Sequence, residues 1–130
     1  MTIRRVLVVD DSATDRYVLS DCLMRAGYEV STAQSGDDAI LQCRNNRPDL
    51  VLMDVVMPGT NGFQATRAIA RDSATRDIPV ILCTSKSMKT DVVWGMRQGA
   101  VDYLTKPIDQ ARLLARIAQL SGTSPQSPTA

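Results

Sequence analysis

Val6-Leu7-Val8-Val9-Asp10-Asp11, Leu50-Val51-Leu52-Met53-Asp54, Val80-Ile81-Leu82-Cys83-Thr84 and Tyr103-Leu104-Thr105-Lys106-Pro107 share one design: a short apolar run that ends on a polar residue. If these runs are neighbouring parallel strands, three carboxylates, one hydroxyl and one ammonium meet at a single edge of the sheet. In open parallel α/β sheets, ligands bind just beyond the carboxyl ends of the strands. Three acids suit a divalent cation, while Thr84 and Lys106 suit an anion. The combination points to chemistry on a phosphoryl group.

Working outward from these runs, strand-like and helix-like segments alternate along the whole chain. The first strand covers about residues 4–9. Ser12 then caps a helix in which Val18, Leu19, Cys22, Leu23 and Ala26 recur at helical spacing, and Gly27 stops it. Residues 28–33 alternate like a half-buried strand, and Gly36-Asp37-Asp38 opens a helix that carries Ala39, Ile40 and Cys43 and ends before Pro48. A third strand is expected over residues 49–53, apolar without alternation from Leu50 onward, as a strand covered on both faces should be. A loop from Met57 to Gly62 leads to a helix around 63–71, and Pro79 introduces the fourth strand. A helix near 88–98 ends at Gly99, a fifth strand covers about 101–105, and a last helix runs from about 109 to 120. Five β/α pairs predict a doubly wound (βα)5 three-layer sandwich with a five-stranded parallel sheet of order 2-1-3-4-5. Its topological switch then falls between strands one and three, beside Asp10, Asp11 and Asp54. Residues 1–120 form one domain in this reading. Residues 121–130 lack any large apolar side chain and are expected to be a disordered tail.

Composition agrees with one folded domain: 130 residues, 44% hydrophobic and 22% charged. A net charge of +1 gives no electrostatic case for nucleic acid or an acidic membrane surface. The chain has no His, which excludes a Ser-His-Asp triad and His-ligated metals. Cys22, Cys43 and Cys83 lie far apart inside apolar patterns and read as reduced thiols in or near the core, in preference to a disulfide framework. The N-terminus has no run long enough for a signal peptide or a membrane span, so a cytoplasmic location is expected; a monomer is expected as well.

Taken singly, the site residues have ordinary readings. Asp10-Asp11 suits a helix N-terminus, because acids favour that dipole. Asp54 suits a turn before Met57-Pro58, Thr84 a strand end, and Lys106 a solvated surface. Taken jointly they do not, because clustered carboxylates raise one another's pKa unless a cation offsets them. Carboxylates with a backbone carbonyl and waters suit Mg²⁺; the lack of His and the scattered Cys argue against Zn²⁺. Pro107 fixes the backbone beside Lys106 and can aim its side chain back over the sheet edge; a cis Lys106-Pro107 bond is one way to do so. Trp94, on the expected fourth helix, suits either the core or a partner-facing surface.

Asp10-Asp11, Asp54, Val55-Val56-Met57-Pro58, Thr84-Ser85 and Lys106-Pro107, in this order, resemble the signature of two-component response-regulator receiver domains of the single-domain, CheY-like kind. The resemblance spans about residues 4–120. It implies that Asp54 accepts a phosphoryl group from a phosphohistidine on a sensor histidine kinase. It also implies that Asp11, Asp54 and the Val56 carbonyl ligate Mg²⁺, with Asp10 acting through a bound water. Thr84 and Lys106 would hold the phosphoryl oxygens, and Tyr103 would be the aromatic switch that turns inward when Thr84 moves. Val56, two residues after the acceptor, cannot orient an attacking water, unlike the residues chemotaxis proteins often place there. The stretches 55–67 and 93–100 resemble PilH-type receivers of chemotaxis-like systems that control type IV pilus twitching.

The expected function is therefore a stand-alone response regulator whose output is phosphorylation-dependent binding of an effector protein at the face of helix four, strand five and helix five, with no catalytic activity beyond its own phosphotransfer and dephosphorylation. A phosphate sink that drains a shared kinase is the alternative. A haloacid dehalogenase-type phosphatase would want a second Asp two residues after the nucleophile, where Val56 stands. A flavodoxin-type carrier would want a Ser/Thr/Gly-rich phosphate loop after strand one, which is missing.

Overall fold

The structure, a computed structural model, describes residues 2–122. Its elements are β1 (Arg5–Val9), α1 (Ala13–Arg25), β2 (Glu29–Ala33), α2 (Gly36–Asn46), β3 (Leu50–Met53), α3 (Gly62–Arg71), β4 (Val80–Thr84), α4 (Lys89–Arg97), β5 (Asp102–Thr105) and α5 (Gln110–Leu120). The strands form one parallel sheet in the order β2-β1-β3-β4-β5, as the alternation of elements predicts.

Side chains alternate across the pleat, so each strand feeds two cores. Leu7, Val9, Val51, Met53, Val80 and Leu82 point to the layer formed with α2, α3 and α4, where they meet Ala39, Cys43, Ala65 and Ile69. Val6, Val8, Leu50, Leu52, Ile81 and Cys83 point the other way, to Leu19 and Leu23 of α1 and to Leu113 and Ile117 of α5. The central strands are therefore apolar throughout, whereas the edge strand β2 buries only Ala33 fully. Each buried Leu or Ile side chain contributes about 1.5–3 kcal/mol. All three cysteines are free and buried, as expected; burial pushes the Cys43 thiol up to about 11 and the Cys83 thiol to about 12.

Helix boundaries follow local chemistry. The Ser12 hydroxyl accepts from the Asp15 N–H at 3.2 Å, and Ser35 caps α2 in the same way through Asp38. Gly27 and Gly99, read as stop signals, adopt φ of +97° and +113°, which a side chain would strain. Two expectations need correction. Val18 and Ala26, grouped with the apolar residues of α1 by spacing, are exposed: Val18 lies at the margin of the buried face made by Leu19, Ser20, Cys22 and Leu23, and Ala26 is the C-cap beyond the last helical residue. Ser121, assigned to the tail, belongs to the folded unit: it caps α5, and its hydroxyl accepts from the Ile3 N–H at 2.9 Å. The tail expected beyond it lies outside the described residues from 123 onward. Among the described residues, no helix is long and apolar enough to cross a membrane.

Register brings the strand ends level. Val9 of β1 pairs with Met53 of β3, so Asp10 and Asp54 leave the sheet side by side, and the Asp54 N–H extends the ladder to the Val9 carbonyl at 2.9 Å. Gly62 closes the loop after β3 by donating to the Val55 carbonyl at 2.9 Å, and a Cβ there would collide with the Asp54 carbonyl oxygen. Gly62→Ala is therefore expected to cost roughly 1–3 kcal/mol, as overpacking does in a rigid setting. Urea unfolding checks this, and an unchanged midpoint would show that the loop yields freely.

Candidate functional site

The four sequence runs converge as their spacing predicts. Asp10, Asp11 and Asp54 can each present a carboxylate oxygen within 4.8 Å of the others. Asp10 and Asp54 are 1% and 6% exposed, while Asp11 faces solvent. Each buried acid is anchored by a backbone N–H: Asp10 Oδ1 accepts from Ser12 at 2.9 Å, and Asp54 Oδ1 from Val55 at 2.8 Å.

Lys106 reaches this cluster from the far side of the sheet. Its N–H donates to the Thr84 carbonyl at 2.8 Å, one step beyond the β4–β5 ladder, and the Lys106-Pro107 bond is cis. Its side chain then passes over the ends of β4 and β3. Nζ lies 2.8 Å from Asp10 Oδ2, 2.7 Å from Asp15 Oδ2 and 3.5 Å from Asp54 Oδ2. Burial opposes the ammonium charge, yet the hydrogen bonds to Asp10 and Asp15 and the field of Asp54 outweigh it and hold Lys106 above its ordinary pKa. Burial pushes the Asp10 carboxyl up, while Lys106 and the Ser12 N–H pull it back.

Thr84 and Tyr103 form a second part of the site. The Thr84 side chain is fully buried, and its Oγ1 accepts from the Lys86 N–H at 3.3 Å. Tyr103 lies inward at 8% exposure, and its hydroxyl donates to the Lys86 carbonyl at 2.6 Å. Its ring sits over Gly95 of α4, where a Cβ would stand 3.1 Å from two ring carbons. Burial, then the negative field of Asp91 and Asp54, pushes the phenol up to about 12, so it remains a donor near neutrality. The expected turned-in aromatic is thus already inward. Trp94, open in the sequence reading, is 48% exposed, and with Val93 and Met96 it leaves apolar side chains on the outer side of α4. Val56 is 54% exposed on the loop after Asp54.

Sequence reasoning missed Asp15 and Arg16. Asp15 sits in the first turn of α1 and supplies the shortest of the three Lys106 contacts, and Arg16 Nη1 donates to the Asp10 carbonyl at 2.7 Å. The available signal was an acid three residues after the Ser12 cap, in a turn that opens onto the same sheet edge; it is also the ordinary signal of a helix start.

Comparisons with known proteins agree with this geometry. The family described as response regulator receiver domain matches residues 6–118. Protein PilH of Pseudomonas aeruginosa is 53% identical over 119 residues, covering 91% of this chain and 98% of PilH. Among solved structures, the chemotaxis protein CheY4 of Vibrio cholerae is 32% identical with a TM-score of 0.83, covering 92% of this chain and 99% of its own. The receiver domain of the sensor histidine kinase PA1611 of Pseudomonas aeruginosa is 29% identical with a TM-score of 0.85, covering 94% and 100%, and was solved with a magnesium ion coordinated in its active-site cleft. A family match across nearly all the described residues, joined to the predicted strand order and the meeting of acids and lysine at the switch point, establishes that this chain belongs to the response regulator receiver family, the phosphoryl-accepting signalling modules of two-component phosphorelays.

Proposed function

We propose that this protein is a stand-alone response regulator that accepts a phosphoryl group on Asp54 from a phosphohistidine of a chemotaxis-like sensor histidine kinase. The observation that carries the reading is the seating of Lys106 Nζ 3.5 Å from Asp54 Oδ2, inside a cluster of three carboxylates drawn from two strand ends. A lysine and an acid so placed serve opposite faces of one reaction. The Val55 N–H holds Asp54 Oδ1, leaving Oδ2 to attack phosphorus. The phosphorus–nitrogen bond of the donor breaks with its electron pair leaving on the imidazole, and an acyl phosphate forms on Asp54. Lys106 and the Thr84 hydroxyl then stabilise charge spread over the phosphoryl oxygens.

The donor set also fits Mg²⁺. It consists of hard carboxylate oxygens close together, and the nearby Cys83 thiol is held protonated by burial. Asp11, Asp54 and the Val56 carbonyl would hold the ion, with Asp10 acting through water. Bound there, Mg²⁺ would neutralise charge on the phosphoryl group. These roles make the protein a switch that promotes only its own phosphotransfer and dephosphorylation.

Output is assigned to the face of α4, β5 and α5. Thr84 and Tyr103 are tied through the two backbone groups of Lys86, and the Tyr103 ring touches α4 at Gly95, so a shift of Thr84 has a short route to Arg97 and Trp94. The likeness to PilH over 98% of that protein's length supports a stand-alone regulator of type IV pilus twitching, acting as a cytoplasmic monomer through an effector protein.

Three outcomes are expected. Incubation with Mg²⁺ and acetyl phosphate should add one phosphoryl group by intact mass, and Asp54→Asn should abolish it; full labelling of that variant would sink the assignment. Asp10→Ala should weaken Mg²⁺ binding roughly tenfold, as loss of an outer-shell partner does, and Asp11→Ala by more. Calorimetric titration checks the order, and equal affinity in wild type and Asp11→Ala would refute the metal site. An effector-binding switch should hold a partner with a coupling of about 1–3 kcal/mol between its two states. Pull-downs with phosphorylated protein and with Asp54→Asn test this; if only the kinase distinguishes them, the protein is a phosphate sink.

A further inference from the structure

Lys106 divides its hydrogen bonds unevenly. An ammonium has three donors, and two of them are spent on Asp10 Oδ2 at 2.8 Å and Asp15 Oδ2 at 2.7 Å. Asp54 Oδ2, at 3.5 Å, is left without a close bond from it. The two closer acids differ in kind. The Asp10 side chain is 2% exposed and also bound by the Ser12 N–H, whereas that of Asp15 is 42% exposed in the first turn of α1. Asp15 and Lys106 both line a cleft of about 400 Å³ between α1 and the start of α5, so the Asp15 carboxylate has open space on its free side.

We propose that Asp15 is a positioning residue: with Asp10 it parks Lys106 on the α1 side of the site in the resting protein, and it surrenders the ammonium when a phosphoryl group arrives on Asp54. The inference rests on the reading of Asp54 as acceptor. A partly solvated ion pair is weak, because water and salt compete for both charges. A phosphoryl group carries up to two negative charges and several acceptor oxygens, so it outcompetes the single exposed carboxylate while the buried Asp10 contact persists. Parking also keeps a close N–H from engaging Asp54 Oδ2, whose lone pair must remain available for attack. Asp15 therefore acts as a competitor that sets how tightly the site grips its phosphoryl group.

The test uses beryllium fluoride, a stable mimic of the phosphoryl group, at saturating Mg²⁺, with binding followed by titration. Asp15→Asn keeps the size of the side chain and removes its charge, so it should bind the mimic roughly two- to fivefold more tightly, the range expected for losing one exposed pair. Asp15→Glu, which keeps the charge, should return toward the wild-type affinity. The decisive arm repeats Asp15→Asn in a Lys106→Met background. If Asp15 works through Lys106, its effect disappears there; an undiminished effect would mean plain charge repulsion and would overturn the proposal. Equal affinities of wild type and Asp15→Asn would overturn it too while leaving the acceptor reading intact. Failure of the wild type to bind the mimic at all would remove both. Thermal melts of each variant separate these changes from a loss of fold, since a weakened start of α1 lowers stability without tightening the grip on the mimic.

Discussion

The contact on which the site depends is the ion pair between Lys106 and Asp10, which joins the last strand of the sheet to the first across the ends of two others. Without a cation nearby, two buried acids beside a third would be mutually repulsive and poorly solvated. Asp10 and Asp54 tolerate burial because each has a backbone N–H on one oxygen and the ammonium within reach of the other. Removing one partner of such a pair typically costs about 3–5 kcal/mol, because it strands the remaining charge. The pair is therefore structural and electrostatic at once: it offsets the clustered negative charge and ties Lys106 across the sheet edge, within 3.5 Å of Asp54 Oδ2.

A second constraint acts through Lys86. Its N–H is bound by the Thr84 hydroxyl and its carbonyl by the Tyr103 hydroxyl, so one residue joins a fully buried strand end to an aromatic ring. The ring in turn needs the missing side chain of Gly95 to lie against α4. Packed elements of this kind have few alternative arrangements, because interiors are as dense as crystals. A small displacement at Thr84 therefore has to be accommodated by the ring, by the loop around Lys86 or by α4, which suits a surface read in two states. The exposed Val93, Trp94 and Met96 on that helix supply apolar area for such a reader.

Much of this was legible in the sequence because it is periodic or local. Apolar runs such as Leu50–Met53 identify buried parallel strands, Ser12 and Ser35 mark helix starts, and Gly27 and Gly99 mark stops. A parallel sheet of five β/α pairs allows few topologies, so the sequence alone places Asp10 and Asp54 together at the switch point. Val18 and Ala26 misled because spacing gives the angle of a residue around a helix, but not how wide a face the neighbouring sheet covers, which leaves out Val18, or where the helix ends, which leaves out Ala26.

The sequence by itself determined the strand order and the identity of the groups at the sheet edge, since both follow from hydrophobic period and from which residue ends each run. Only the tertiary structure decided how those groups share their contacts. That Lys106 binds Asp15 more closely than Asp54, that Tyr103 lies inward against Gly95, and that Trp94 faces outward each depend on distances between elements far apart in the chain. Those distances are set by how the helices pack on the sheet, which no local spacing encodes.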